Sequence, residues 1–180
     1  YANSVEIRQF ILEFSKEYLV DLFTPVFCGP CVTHYTANDR ISGSFGLGWH
    51  QDWPSMASSK SSVIMWTSLT PVSKKTHGLE IIKNSHTAGI YPGSASDHGW
   101  IVHPTEINEE DRVIPELQNG GVLVFSSFML HRTYVNPDFK GYKMSISQRF
   151  DNLEDEEWRR NNFPSAYSVA VDRSCFKKFI

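Results

Sequence analysis

The run VFCGPCVTHYT, residues 26–36, sets a dithiol tetrapeptide against a β-forming tail, and the tail decides the fold. A Cys-Gly-Pro-Cys redox site needs its first cysteine at a helix N-terminus, where exposed N–H groups and the helix dipole stabilise the thiolate. Cys31 is instead followed by the β-branched and aromatic run Val32, Thr33, His34, Tyr35, Thr36, and soon afterwards by Gly43, Gly46 and Gly48. No helix is expected there. Cys28 and Cys31 are read as small packing residues around a tight Gly-Pro turn that enters a strand. A dithiol oxidoreductase acting through Cys28 and Cys31 stays a remote alternative, and a zinc site from Cys28, Cys31 and His34 lacks a fourth ligand of matching spacing.

Working back from the tetrapeptide, NSVEIRQFILEFSKEYLVDLF puts Ile7, Phe10, Ile11, Phe14, Tyr18 and Leu22 at helical spacing, with Asn3 as N-cap and Glu6 three residues on. This predicts an amphipathic helix stopped by Pro25. Forward of it, CVTHYTA, SSVIMWTSLTPV, GLEII, GVLVFSS and YKMSISQRF are candidate strands between polar loops such as GSFGLG, SKKTHG and NPDFKG. Strands in succession without helices between them point to a sandwich or barrel. DNLEDEEWRRNN is read as a short surface helix with solvated charges.

The 180 residues are expected to form one domain, residues 1–180, that buries roughly 70% of its unfolded surface. Tyr1 stands where a methionine would start a chain, so missing N-terminal residues are expected. A formal net charge of -3 offers no basic field for nucleic acid. No apolar run approaches the ~20 residues of a membrane span, and the N-terminus lacks the order of a signal peptide. A cytoplasmic protein without nucleic-acid or membrane partners is expected, its oligomeric state open. Three cysteines are too few for a disulfide-built scaffold.

The residues able to carry chemistry lie further on, in GWHQDWP. His50 and Asp52 are one residue apart, so on an extended strand both project to one face, about 7 Å apart along the backbone. Such a pair, joined by a distant histidine, makes the two-histidine, one-carboxylate set that holds non-haem Fe(II) with open positions. GGVLVFSSFMLH, an alternating strand ending in His131, supplies that histidine. Alone, His-x-Asp is a common chance pair whose ordinary role is surface hydrogen bonding.

The flanking residues add to it. WHQDW, MWTSLTPVSKKTHGLEIIKNSH and GGVLVFSSFMLHRT, in that order and at similar spacing, resemble the phytanoyl-CoA dioxygenase-like branch of the Fe(II)/2-oxoglutarate-dependent oxygenases, over Val32 to Phe150. The resemblance implies a mainly β fold, a double-stranded β-helix or cupin-like jelly-roll, which the N-terminal amphipathic helix and short peripheral helices would flank. It implies His50, Asp52 and His131 as metal ligands, with no catalytic residue beyond them. It further implies Fe(II), 2-oxoglutarate as co-substrate and O2, and hydroxylation of a C–H bond with release of succinate and CO2. Because Asp52 is a carboxylate, the related halogenase chemistry is not implied.

In that family an arginine on the strand after the second histidine holds the distal carboxylate of 2-oxoglutarate. Here Gly141, Tyr142 and Lys143 lie at that offset, and with one extra residue in the NPDFKG loop Lys143 takes the arginine's place, as a point charge without the bidentate fork. Ser145, two residues on and on the same face, and Thr133, two after His131, are read as hydroxyl contacts. Arg149 is the rival cation, and Trp66 and Tyr35 are candidates beside the co-substrate, although an aromatic in a strand is more often core. His86 is read as structural, and His77, His98 and His103 as loop residues with no role at a metal.

ASDHGWIVHPTEINEEDR and FPSAYSVAVDRSCFKKF are read as lids, with Trp100, His103 and Lys177 available to a polar or anionic group. Without a basic cluster beyond Lys177 and Lys178, a small polar metabolite or sugar derivative is the expected substrate rather than an acyl-CoA. The alternative from another class is a cupin-like metal-binding protein or isomerase without oxygenase activity, which would keep the triad and not need Lys143.

Overall fold

The tetrapeptide and its tail form one strand. In the computed structural model, which describes residues 5–37, 46–56, 58–96, 99–103 and 107–162, β1 spans Pro25–Ala37 without a break. Cys28 pairs with Arg149 and Val32 with Ser147, so residues 29–31 stand opposite Gln148 alone. The Gly-Pro step is therefore a bulge inside a strand, not the expected turn into one. No helix begins there to activate a thiol.

Ahead of it, α1 (Val5–Phe14) runs into a five-residue π turn, Ser15–Leu19. The expected N-cap Asn3 lies outside the described residues. Ile11 and Leu19 are buried against Met65 and Phe150, with Ile7, Phe14 and Phe23 packed alongside. Phe10, Tyr18 and Leu22, expected on the same face, are exposed. The wider π turn advances the chain by less than 100° per residue, so Leu19 arrives at the core where a regular helix would bring Tyr18.

The remaining elements are β2 (His50–Gln51), α2 (Trp53–Met56), β3 (Val63–Ser68), β4 (Gly78–Ile82), β5 (Gly93–Ser96), β6 (Gly99–Val102), β7 (Arg112–Val113), β8 (Val122–Ser126), β9 (His131–Tyr134), β10 (Tyr142–Asn152) and α3 (Glu156–Arg160). They make a four-stranded sheet, β1-β10-β3-β8, and a six-stranded sheet, β5-β6-β2-β9-β4-β7. Every strand pairing is antiparallel, and the two sheets form a double-stranded β-helix, or jelly-roll. Ile64, Trp66 and Phe125 from the first sheet meet Leu79 from the second, with Met56 and Val72, in the core between them. The alternate residues of β3 and β10, Met65 and Phe150, face outward and are covered by α1, which is why β10 is buried on both faces.

Two peripheral readings change. The stretch expected as the first lid supplies β6 and β7, so much of it is wall of the six-stranded sheet. α3 is capped by the Asp155 carboxylate, which accepts from the Trp158 amide, and it buries Trp158 rather than lying wholly on the surface. The second expected lid lies outside the described residues. Among the described residues, no helix is long and apolar enough to cross a membrane.

Candidate metal centre

β2 is only two residues long, yet it places His50 directly opposite His131, the first residue of β9, with ring centroids 4.1 Å apart. The strand ends at Gln51. Asp52 is therefore not carried by strand alternation, as the spacing predicts, but by a turn in which the Asp52 and Trp53 amides both donate to Ser127 O, at 3.1 and 3.0 Å. Gln51, fully buried, pins the turn from the side: its amide donates to Gly89 O and Phe128 O and accepts from Tyr91 N.

The imidazoles are set in one tautomer by their backbone. His50 Nδ1 lies 2.8 Å from Gly48 O and His131 Nδ1 2.8 Å from Met129 O. A carbonyl only accepts, so each Nδ1 carries the proton and each Nε2 is left with its lone pair. Those Nε2 atoms face one carboxylate oxygen, Asp52 Oδ1, at 3.6 and 4.0 Å. All three ligand atoms lie within 4.8 Å of one another, close enough to share one cation. Two imidazole nitrogens and a carboxylate oxygen are the donor set suited to non-haem Fe(II).

Electrostatics keep His131 and Asp52 in ligand form. Burial, then the nearby His50, pulls His131 down to about 3, so it is neutral at physiological pH. Burial alone would raise the Asp52 carboxyl, but the Arg149 guanidinium and the neighbouring imidazoles outweigh it and hold the group at about 2.

A cavity of about 230 Å³ opens over the triad, walled by residues of both sheets. Lys143 lies in it, 3% exposed, with Nζ 5.5 Å from the centroid of the Trp66 ring, which also lines the cavity. Among the described residues no carboxylate pairs with Lys143, and burial draws its ammonium down to about 8. Ser145, on the same face of β10, is fully buried, and its hydroxyl has no hydrogen-bond partner among the described residues. Thr133 also lines the cavity and accepts from Leu47 N at 3.0 Å, so its own proton is left to donate. Gly46 backs onto Thr133: its φ is +76°, and a Cβ there would sit 2.4 Å from Thr133 Cβ, so only glycine fits.

Two expected residues are placed differently. Tyr35 is 44% exposed and stacks on Tyr142. It pairs with Met144, between the inward Lys143 and Ser145, and so faces away from the cavity. Arg149 is buried and lies in the cavity wall, but it is a salt-bridge arginine, its Nη2 donating to Asp52 Oδ2 at 3.1 Å.

His34 is the residue that sequence reading missed at this site. It lines the cavity opposite Ser145, and its Nε2 lies 2.9 Å from Ser147 Oγ. Burial and the Lys143 and Arg149 charges bring it down to about 4. The signal that finds it is alternation carried across from Lys143, but only once the β1–β10 register is known.

The other histidines and aromatics fall outside the centre. His77 lies in the loop before β4, as expected, but is buried there, accepting from Asn136 N with Phe139 edge-on at 5.1 Å. His86 is exposed, and its neighbour Ser85 is the structural one, donating to Ile82 O and accepting from Leu130 N. His103 is exposed beyond β6. Trp100 donates to Tyr91 O. His98, Lys177 and Lys178 lie outside the described residues.

Behind the histidine strands, Glu80, 3% exposed, holds Arg112 on one oxygen and Arg132 on the other. Both guanidinium groups lie over the Trp49 ring, at 5.9 and 4.6 Å from its centroid. Trp49 and Arg132 are the chain neighbours of His50 and His131, so this clamp ties β4, β7 and β9 together beside the two imidazoles.

The profile of the family described as Phytanoyl-CoA dioxygenase (PhyH) matches residues 4–137. The 1-deoxypentalenic acid 11-beta-hydroxylase of Streptomyces arenae is 28% identical over 135 residues, covering 69% of this chain and 48% of that protein. Similar solved folds include SnoN, a non-heme alpha-ketoglutarate-dependent epimerase from nogalamycin biosynthesis, with TM-score 0.62, 18% identity, and 83% of this chain against 59% of that one. Another is EvdO2 from Micromonospora carbonacea var. aurantiaca, solved with 2-oxoglutarate, with TM-score 0.58, 16% identity, and 83% against 61%. The chain spans about half the length of the curated relative it matches.

Proposed function

The chain belongs to the phytanoyl-CoA dioxygenase family, and on that premise we propose that it is a non-haem Fe(II)/2-oxoglutarate-dependent oxygenase. Its reaction in this reading is hydroxylation of a C–H bond in a small polar metabolite or sugar derivative, with release of succinate and CO2. The observation that carries the reading is the meeting of His50, Asp52 and His131 around one point at the floor of a cavity that also contains a buried lysine.

Fe(II) and 2-oxoglutarate, when bound, supply the oxygen activation that no side chain can perform. The residues supply everything else. The two Nε2 atoms and Asp52 Oδ1 would hold the ion. Lys143, charged and lacking a carboxylate partner among the described residues, is the cation for the distal carboxylate of the co-substrate. The unpaired Ser145 hydroxyl and the remaining proton of Thr133 are donors to the same ligand, and Trp66 gives Lys143 an aromatic face to rest on. Leu79, Phe125 and Ile64 line the cavity with apolar surface and limit the water within it.

The test is anaerobic. Addition of Fe(II) and 2-oxoglutarate to the intact protein should produce the weak visible charge-transfer band of a chelated 2-oxo acid. Absence of the band in protein that has taken up the metal sinks the oxygenase reading and leaves a metal-binding jelly-roll. A metabolite panel scored by substrate-stimulated succinate release then tests the substrate class.

A further inference from the structure

Resting on the reading of the triad as a metal site, we propose that Arg149 is a positioning residue that holds Asp52 as a one-oxygen ligand and so keeps three coordination positions open. The carboxylate is divided between two tasks. Oδ1 faces both histidine Nε2 atoms, at 3.6 and 4.0 Å, while Oδ2 accepts from Arg149 Nη2 at 3.1 Å. For Asp52 to chelate a cation with both oxygens, Oδ2 must turn away from a guanidinium that is itself only 7% exposed. That would leave a buried charge without its counter-ion, which is costly.

The guanidinium is in turn unable to follow. Its Nε donates to Met56 Sδ at 3.2 Å and its Nη1 to Ser147 Oγ at 3.4 Å, so all three nitrogens have fixed partners on α2, β10 and the turn after β2. Ser147 closes the array. Its oxygen accepts from Arg149, and its hydroxyl shares a second hydrogen bond with His34 Nε2, 2.9 Å away on β1. The chain His34–Ser147–Arg149–Asp52 therefore runs from the edge of the four-stranded sheet to the metal ligand.

The consequence is a matter of coordination count. Three protein donors leave three positions of a six-coordinate ion, as many as a two-point 2-oxo acid and a third small ligand require. A chelating Asp52 would leave two. Arg149 thus affects co-substrate binding without touching the co-substrate.

The discriminating readout is the infrared splitting between the antisymmetric and symmetric carboxylate stretches, wide for one-oxygen ligation and narrow for chelation. It is read as a Co(II)-minus-apo difference with 13C-labelled aspartate in the full chain. Wild type is expected to show the wide splitting and Arg149→Gln the narrow one, with Co(II) still bound and 2-oxoglutarate affinity lowered about tenfold, as loss of one coordination position predicts. A wide splitting in Arg149→Gln overturns the proposal and leaves the metal site standing. A narrow splitting in wild type overturns it without need of the variant, so a misfolded Arg149→Gln does not shelter it. Failure of the wild type to take up Co(II) removes the metal reading and this inference with it.

Discussion

Replacing Lys143 by methionine should move two properties in opposite directions. Lys143 is 3% exposed, and burial takes its ammonium from 10.5 to about 8. That shift corresponds to roughly 3 kcal/mol by which the fold disfavours the charged group relative to the unfolded chain. Part is already offset by the Trp66 face, at 5.5 Å, to the extent of about 1–2 kcal/mol for a desolvated cation. Methionine keeps the length of the side chain and removes the charge, so about 1–2 kcal/mol should be gained. For a chain of this size that raises the apo midpoint by roughly 2–8 °C.

The sign has a pH signature. Between 8 and 10.5 the unfolded chain binds a proton that the native state does not, so wild-type stability rises with pH through that window, and the variant should lack the rise. Affinity should go the other way. Loss of a charge-assisted bond worth about 1.5–3 kcal/mol weakens 2-oxoglutarate by roughly 10- to 150-fold. Scanning calorimetry of apo protein and anaerobic titration of the charge-transfer band measure the two. A variant less stable than wild type, or one with unchanged co-substrate affinity, refutes the assignment of Lys143 as a binding cation held at the expense of stability.

Other outcomes follow from the same geometry. Asp52→Ala should abolish metal uptake and, by leaving Arg149 buried without its carboxylate, destabilise the apo protein by about 3–5 kcal/mol in denaturant titration. His34 is brought from 6.5 to about 4, so the unfolded chain binds the extra proton between those values and stability is lost as pH falls from 6.5 to 4. His34→Gln should make that leg shallower in unfolding curves compared at pH 7 and 4.5, with the share of His131 remaining. Glu80→Ala should cost about 1–3 kcal/mol by releasing Arg112 and Arg132 from their shared acceptor, and it should weaken Co(II) binding by loosening β9.

Much of this architecture is written locally. The apolar, β-forming run VIMWTS and the alternation in YKMSISQRF identify β3 and β10, and the limits of β4 fall where GLEII begins and ends. The triad is readable because the His-x-Asp pair stands among flanking residues that resemble the family's, although Asp52 lies in the turn after β2 rather than on a strand. Register is what composition does not carry. Tyr35 and His34 differ by one position, and only the pairing of His34 with Ser145 shows which of them faces the cavity. Arg149 looks like one more strand-end cation until Asp52 is placed against it, a contact between residues 97 apart in the chain. The π turn is similar: nothing in SKEYL distinguishes it from a regular last turn, and the packing of Leu19 on Met65 and Phe150 decides it.

The bulge at residues 29–31 has a further effect on how the protein behaves in a crowded solution. β1 is the outer strand of its sheet, with β10 as its only strand neighbour among the described residues. A straight outer strand of thirteen residues would present a long row of unsatisfied amides and carbonyls to any passing extended chain. Pro30 has no N–H to offer, and the bulge breaks the row beside it. What remains regular is two shorter runs, Pro25–Cys28 and Val32–Ala37, one on each side of the bulge. The tetrapeptide that looks like redox chemistry is the point at which that open edge is interrupted.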